Sequence, residues 1–174
     1  LVWDDSLPVV QTVTATFSAN QYTLTFTSGT NGYVTMTGDT VSGTPDTIDC
    51  GPDPEHAASH TDCTAKVTFD QTYVVTSHPG TGYVVDAWSG LCSGSASTCS
   101  LTVTSTTPTA GVTFKAGTYT VTIGTHTHGT IQSDETPTKK IDCGSTCSAS
   151  YTYPDNVVLT ATRSEEHTSE LQSR

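Results

Sequence analysis

The chain has 174 residues, a formal net charge of −11 and a hydrophobic fraction of 33%, with aromatics at only 7%. That acidity argues against a nucleic-acid or anionic-membrane partner, which needs clustered Lys and Arg, and the thin apolar content suits small β-modules better than one large core. Threonine alone makes up about a fifth of the residues, and its branched side chain is at home on the exposed face of a strand.

The opening stretch "LVWDDSLPVV" has no basic region followed by a long apolar run, so it does not read as a signal peptide. No segment is apolar enough for the length needed to cross a bilayer, so membrane insertion is not expected. From there to Thr162 the apolar period is two, the strand period. Tyr22, Leu24 and Phe26 alternate with Thr, as do Val34 with Met36, Val67 with Phe69, Leu101 with Val103 and Val112 with Phe114. Turn signals separate these strands: "SGTNG" at 28–32, "HPGTG" at 78–82, "TTPTAG" at 106–111 and "GTHTHG" at 124–129. The expected class is all-β, built from short antiparallel strands.

Internal repetition organises the strands. A stretch from residue 14 aligns without a gap on one from 111, so that Phe17 matches Phe114, Tyr22 matches Tyr119, and Leu24 and Phe26 match Val121 and Ile123. "CTAKVTFDQTYVVTSH" from Cys63 matches "CSASYTYPDNVVLTAT" from Cys147, and "IDCG" occurs at 48–51 and again at 141–144. The chain therefore divides into closing strands of a preceding repeat (1–17), a complete repeat (18–114), a truncated second repeat (115–162) and a tail (163–174). The tail, "RSEEHTSELQSR", is charged and helix-favouring, unlike everything before it. It resembles one reading frame of a common sequencing adapter, and is read as an artefactual segment, disordered or a short helix.

Six cysteines, an even number in a chain of small modules, point to disulfides. The pairing most economical in sequence distance is Cys50 with Cys63, Cys92 with Cys99 and Cys143 with Cys147, and repeat equivalence supports the first and last. A zinc site or free thiols are the competing readings, but no close C-x2-C knuckle is present. Disulfides imply an oxidising compartment, hence an extracellular or cell-surface location.

The segments "GYVVDAWSGLCSGSASTCSLTV" (82–103) and "IDCGSTCSASYTYPDNVVLTAT" (141–162) resemble the divergent B-repeat family of bacterial secreted and surface proteins, related to the internalin B-repeats. The shared layout is a Gly-rich hairpin, I-D-C-G-x-x-C, an aromatic strand, an apolar strand, W-S-G-x-C with a second Cys, and a closing strand, a place filled here by "TVTATF" at 12–17 and "AGVTFK" at 110–115. The chain departs from it in three ways: "PDPEHAASHT" is inserted between Cys50 and Cys63, the hairpin region of the first repeat is longer than that of the second, and the second repeat lacks its W-S-G half. The resemblance implies tandem, disulfide-stapled modules, β-grasp-like or sandwich-like, forming an elongated array. It implies a non-catalytic spacer or adhesive role, with neighbouring repeats as partners.

Trp88 is the one residue singled out as either core or a sugar-stacking platform, with core the favoured reading. Tyr22, Tyr119, Tyr151 and Tyr153 recur on period two and read as half-buried strand residues. His126 and His128 form an H-x-H pair in a turn, without a third ligand in sequence, and read as solvated. Asp46, Asp49, Asp53, Glu55, His56, His60 and Asp62 cluster around the insertion but lack the spacing of a calcium loop, so no metal and no cofactor is expected. No G-x-S-x-G elbow, phosphate loop or H-E-x-x-H occurs, and no enzymatic activity is expected. The alternative to a stalk or adhesive repeat is an accessory carbohydrate-binding module of a secreted hydrolase, with a polysaccharide ligand.

Overall fold

The computed structural model describes residues 14–53, 55 and 59–164, and every regular element among them is a strand. The first nine are β1 (Gln21–Ser28), β2 (Gly32–Val41), β3 (Thr44–Pro52), β4 (Ser59–Asp62), β5 (Thr64–Thr68), β6 (Thr72–Pro79), β7 (Tyr83–Gly90), β8 (Thr98–Thr102) and β9 (Thr109–Ala116). They form two sheets, ordered β5-β1-β9-β7 and β4-β3-β2-β6-β8. The period-two pattern sends one set of side chains from each sheet into a common core. Leu24, Phe26, Ala65, Val67, Trp88 and Val112 meet Val34, Met36, Ile48, Val75 and Leu101 there. Of the two architectures the sequence suggests, the first repeat is the sandwich.

All neighbours within these sheets run antiparallel except β1 and β9, which pair in parallel with Thr25 opposite Thr109. This pairing closes the unit, because it joins the first of the described strands to the ninth. The expected strand through Val67 and Phe69 stops earlier, at Thr68. Asp70, at φ 62°, turns the chain there, and Phe69 is left 44% exposed.

The remaining strands are β10 (Thr118–Thr122), β11 (Gly129–Ser133), β12 (Asp142–Cys143), β13 (Ser148–Thr152) and β14 (Leu159–Arg163). Their pairing repeats the first unit's. Tyr22 faces Val67 in β1–β5, and their counterparts Tyr119 and Tyr151 face each other in β10–β13. Val34 lies between Cys50 and Ser77, and Ile131 lies between Cys143 and Ala161. The equivalence reaches single backbone bonds: Phe26 N donates to Cys63 O at 2.8 Å, and Ile123 N donates to Cys147 O at 2.8 Å. Even the left-handed turn residue repeats, as Asn31 at φ 70° and His128 at φ 60°.

Disulfides join Cys50 to Cys63, Cys92 to Cys99 and Cys143 to Cys147, the pairs expected from sequence distance. Of the charged tail, Arg163 ends β14 opposite Gly129 and Ser164 donates to His128 O at 3.0 Å. The expectations for 165–174, and for 1–13 at the other end, lie outside the described residues.

Only Gly117 separates β9 from β10. Its N–H donates to Gly82 O at 2.7 Å, and its carbonyl accepts from Tyr153 N at 2.9 Å. The Tyr153 ring packs edge-on to Tyr83 at 5.4 Å. Gly82, at φ +79°, leaves the space that ring needs, because a Cβ there would sit 2.3 Å from it.

Candidate functional site

The W-S-G motif resolves into packing. Val85 and Trp88 of β7 face the core; Trp88 is 5% exposed, with its ring edge-on to Phe26 at 6.2 Å. Its indole N–H, which a buried Trp must satisfy, donates to Ala96 O at 2.7 Å. Gly90, at φ +70°, turns the chain against β9, where a Cβ would lie 2.3 Å from Thr109 O. The Cys92–Cys99 bridge then staples the loop that carries Ala96. Trp88 offers no ring face to a ligand.

A cluster that sequence reasoning did not assemble lies on the outer face of the five-stranded sheet. Tyr33 of β2 stacks between two histidines: His60 of β4 at 3.8 Å and 6°, and His78 of β6 at 4.5 Å and 14°. Cross-strand register explains how they meet. Tyr33 is directly opposite His78, and on its other side stands Gly51, which has no side chain and is itself opposite His60. The imidazole of His60 lies across that gap onto the tyrosine ring. Gly51 is at φ +127°, and a Cβ there would come 2.5 Å from Ser28 Oγ.

Hydrogen bonds fix both imidazoles. His60 Nδ1 is 2.6 Å from Asp49 Oδ1, its Nε2 is 3.7 Å from Asp53 Oδ2, and His78 Nε2 is 2.9 Å from Thr35 Oγ1. Glu55 accepts from Thr81 N across a shallow cleft of about 370 Å³, which Tyr33, His78, Asp53 and Glu55 help to line. The cleft presents ring edges and carboxylates; both faces of Tyr33 are already covered.

The rest of the acidic insertion is spent on local structure. Asp46 accepts from Lys66 N at 2.8 Å, and Asp62 from Thr64 N at 3.4 Å. His56 lies outside the described residues. The H-x-H pair does not converge: His126 Nε2 contacts Cys143 O at 3.2 Å, while His128 is an exposed turn residue. Among the described residues, no group of three or more His, Cys, Asp or Glu is arranged to hold a metal ion.

The four repeated tyrosines have four environments: Tyr22 is half-buried, Tyr119 is 51% exposed, Tyr151 is core and Tyr153 packs at the junction. A second polar assembly, also absent from the sequence reading, centres on Asp39. Its carboxylate accepts from Tyr73 Oη at 2.5 Å, Thr68 Oγ1 at 2.6 Å and Gln21 Nε2 at 3.1 Å, and so ties β2 to β6, β5 and β1 across the two sheets. Burial and the Asp39 carboxylate together push the Tyr73 hydroxyl above its ordinary pKa. Asp39 sits where the β2–β3 register shifts between Thr37 and Thr40, which frees it from the strand's alternation.

Compared with models of known families, with curated proteins and with solved structures, the chain matches none.

Proposed function

We propose that the chain is a non-catalytic extracellular repeat module of a bacterial secreted or cell-surface protein, acting as a stalk or spacer or as an adhesive domain. The observation that carries this reading is the junction. Two units of identical register are joined through one residue, Gly117, whose N–H and carbonyl are both bonded, one to each unit. A joint with no spare chain restricts interdomain motion, which a spacer needs and a flexible tether lacks. The three disulfides support export, since such bridges persist in oxidising compartments. Among the described residues, no helix is long and apolar enough to cross a membrane.

Residual dipolar couplings measured on the intact chain test the reading directly. A stalk requires the couplings of both units to fit one alignment tensor, and Gly82→Leu, which drives a side chain into the Tyr153 ring, should split it into two. Two unequal tensors in the unmodified protein would end the stalk reading.

The cleft beside the ring stack supports a second reading, an accessory carbohydrate-binding module of a secreted hydrolase. Its polar edges, Tyr33, His78, Asp53 and Glu55, are of the kind that orient sugar hydroxyls. Retention on insoluble polysaccharides that is lost in His78→Ala would favour it over a bare spacer.

A further inference from the structure

Gln21 of β1 and Thr68 of β5 stand directly opposite each other. Phe69 N donates to Asn20 O at 2.9 Å, so the ladder bonds flank this pair and the pair itself exchanges none. Such positions bring facing side chains closest in an antiparallel sheet, with Cα atoms about 4.5 Å apart. Thr68 N points instead to the free edge of the sheet, where it donates to Tyr73 Oη at 2.8 Å. A hydroxyl nucleophile and an amide carbon thus share one narrow place.

The third member comes from the other sheet. Beyond the register shift after Thr37, β2 crosses the β5 edge so closely that a Cβ on Gly38 would lie 2.6 Å from Lys66 O. That crossing delivers the Asp39 carboxylate. Its Oδ2 accepts both from Thr68 Oγ1 at 2.6 Å and from Gln21 Nε2 at 3.1 Å, while its Oδ1 accepts from Tyr73 Oη at 2.5 Å. An ionised carboxylate can only accept, so the amide nitrogen of Gln21 is the atom that faces it. Tyr73, its hydroxyl pushed above its ordinary pKa, keeps its proton and aims the carboxylate. One oxygen of the base therefore touches both the nucleophile and the nitrogen that must leave.

We propose that Thr68, Gln21 and Asp39 form an intramolecular ester cross-link between β5 and β1. Asp39 Oδ2 takes the proton from Thr68 Oγ1, which attacks Gln21 Cδ. The tetrahedral intermediate collapses as the same carboxylate oxygen passes that proton to Nε2. The Oγ1–Cδ bond has then formed, the Cδ–Nε2 bond has broken, and ammonia leaves; no further reactant enters. Amides are poor acyl donors, but this step happens once per molecule, and well-oriented groups reach effective concentrations of about 10⁵–10⁸ M. Gln21 is exposed, which lets the ammonia escape. Protonated and diluted in water, it does not return. The ester secures a strand that none of the three disulfides reaches. It is compatible with either reading of the function above.

Intact-mass spectrometry of the full chain, incubated folded at neutral pH and then denatured with its disulfides reduced, tests it. The unmodified chain should be lighter than its sequence by one ammonia, and fragment sequencing should find the peptides around Gln21 and Thr68 joined. Mild alkali should open the link with uptake of one water. Thr68→Val and Gln21→Ala should each show full mass, whereas Thr68→Ser should keep the deficit. In a time course from refolding, Asp39→Asn should slow its appearance about 100-fold or more, as loss of a general base does. NMR dispersion checks that each variant is folded. Full mass in the folded, unmodified protein overturns the proposal. So does a deficit that survives Thr68→Val, which would place the lost ammonia elsewhere, as in a succinimide of Asn31 with Gly32, or one that forms equally fast in folded Asp39→Asn.

Discussion

Val75 in the first unit is fully buried, whereas its counterpart Leu159 in the second is 40% exposed, although both sit in the same register of the same five-strand pattern. Leu24 and Phe26 are buried, while their counterparts Val121 and Ile123 are only partly covered. What differs is the lid. In the first unit, β7, β8 and β9 extend both sheets and bring Trp88, Leu101 and Val112 over the core. Among the described residues, the second unit has no equivalents, and only Ile141, Cys143 and Tyr151 form its buried apolar set. Shared pairing thus specifies where strands lie, but stability requires surface removed from water on both sides.

The sharpest way to break the comparison is to take the first unit's lid away chemically. Trp88→Ala should cost about 3–5 kcal/mol, the range for removing a large buried aromatic. It should lower the first unit's unfolding midpoint while leaving resonances of Ile141 and Tyr151 in place. Loss of both units together would mean that the junction, and not each core, governs cooperativity.

The staples give the next largest effect, and they should be unequal. In the chain-entropy model, closing the loop between Cys50 and Cys63 contributes about 3 kcal/mol, and the shorter loop between Cys143 and Cys147 about 2 kcal/mol. The smaller contribution falls on the unit with the smaller core. Replacing Cys143 and Cys147 together by Ala should therefore abolish the second unit's protection from hydrogen exchange. The same change at Cys50 and Cys63 should leave the first unit folded but less stable. Equal loss in both units would contradict the weight assigned to the lid.

These contrasts also show what a linear sequence can carry. The all-β class and the disulfide pairs were legible because each depends on local spacing: alternation of two for Tyr22, Leu24 and Phe26, and short loops between cysteines. The sandwich was not distinguishable from a β-grasp, because its closure is the parallel pairing of Thr25 with Thr109, far apart in the chain, which leaves no periodic trace. The ring stack was missed for a related reason. Tyr33 reads as an ordinary strand residue, His78 as part of a turn and His60 as part of an acidic insertion, and only the empty side of Gly51 lets them stack. The one available signal was that "IDCG" ends in a glycine within an extended run. Asp39 was hidden by the irregularity that positions it, since a register shift defeats any reading by alternation.

Each unit also carries one polar device beside its core, and the smallest contrast lies there. Met36 of the first unit pairs with Ile48 through ordinary strand bonds, but its counterpart Ser133 meets Ile141 where the β11–β12 ladder has already ended. The Ser133 hydroxyl takes over, accepting from Ile141 N at 2.9 Å. Ser133→Ala should then cost about 1–3 kcal/mol, the penalty for a buried N–H left unmet. Ser133 also holds the Glu135 carboxyl down to about 2, from an ordinary 4.5. A depressed carboxyl stabilises the fold above its unfolded pKa, so this contribution is complete above about pH 4.5 and is lost as pH falls toward 2. The carboxylate is only half-buried, so water screens it and the slope is shallow. Acid titration of the second unit's stability should accordingly fall more steeply in the unmodified protein than in Ser133→Ala, and the gap between them should narrow from pH 5 to pH 2. A constant gap would mean that the serine acts on Ile141 alone.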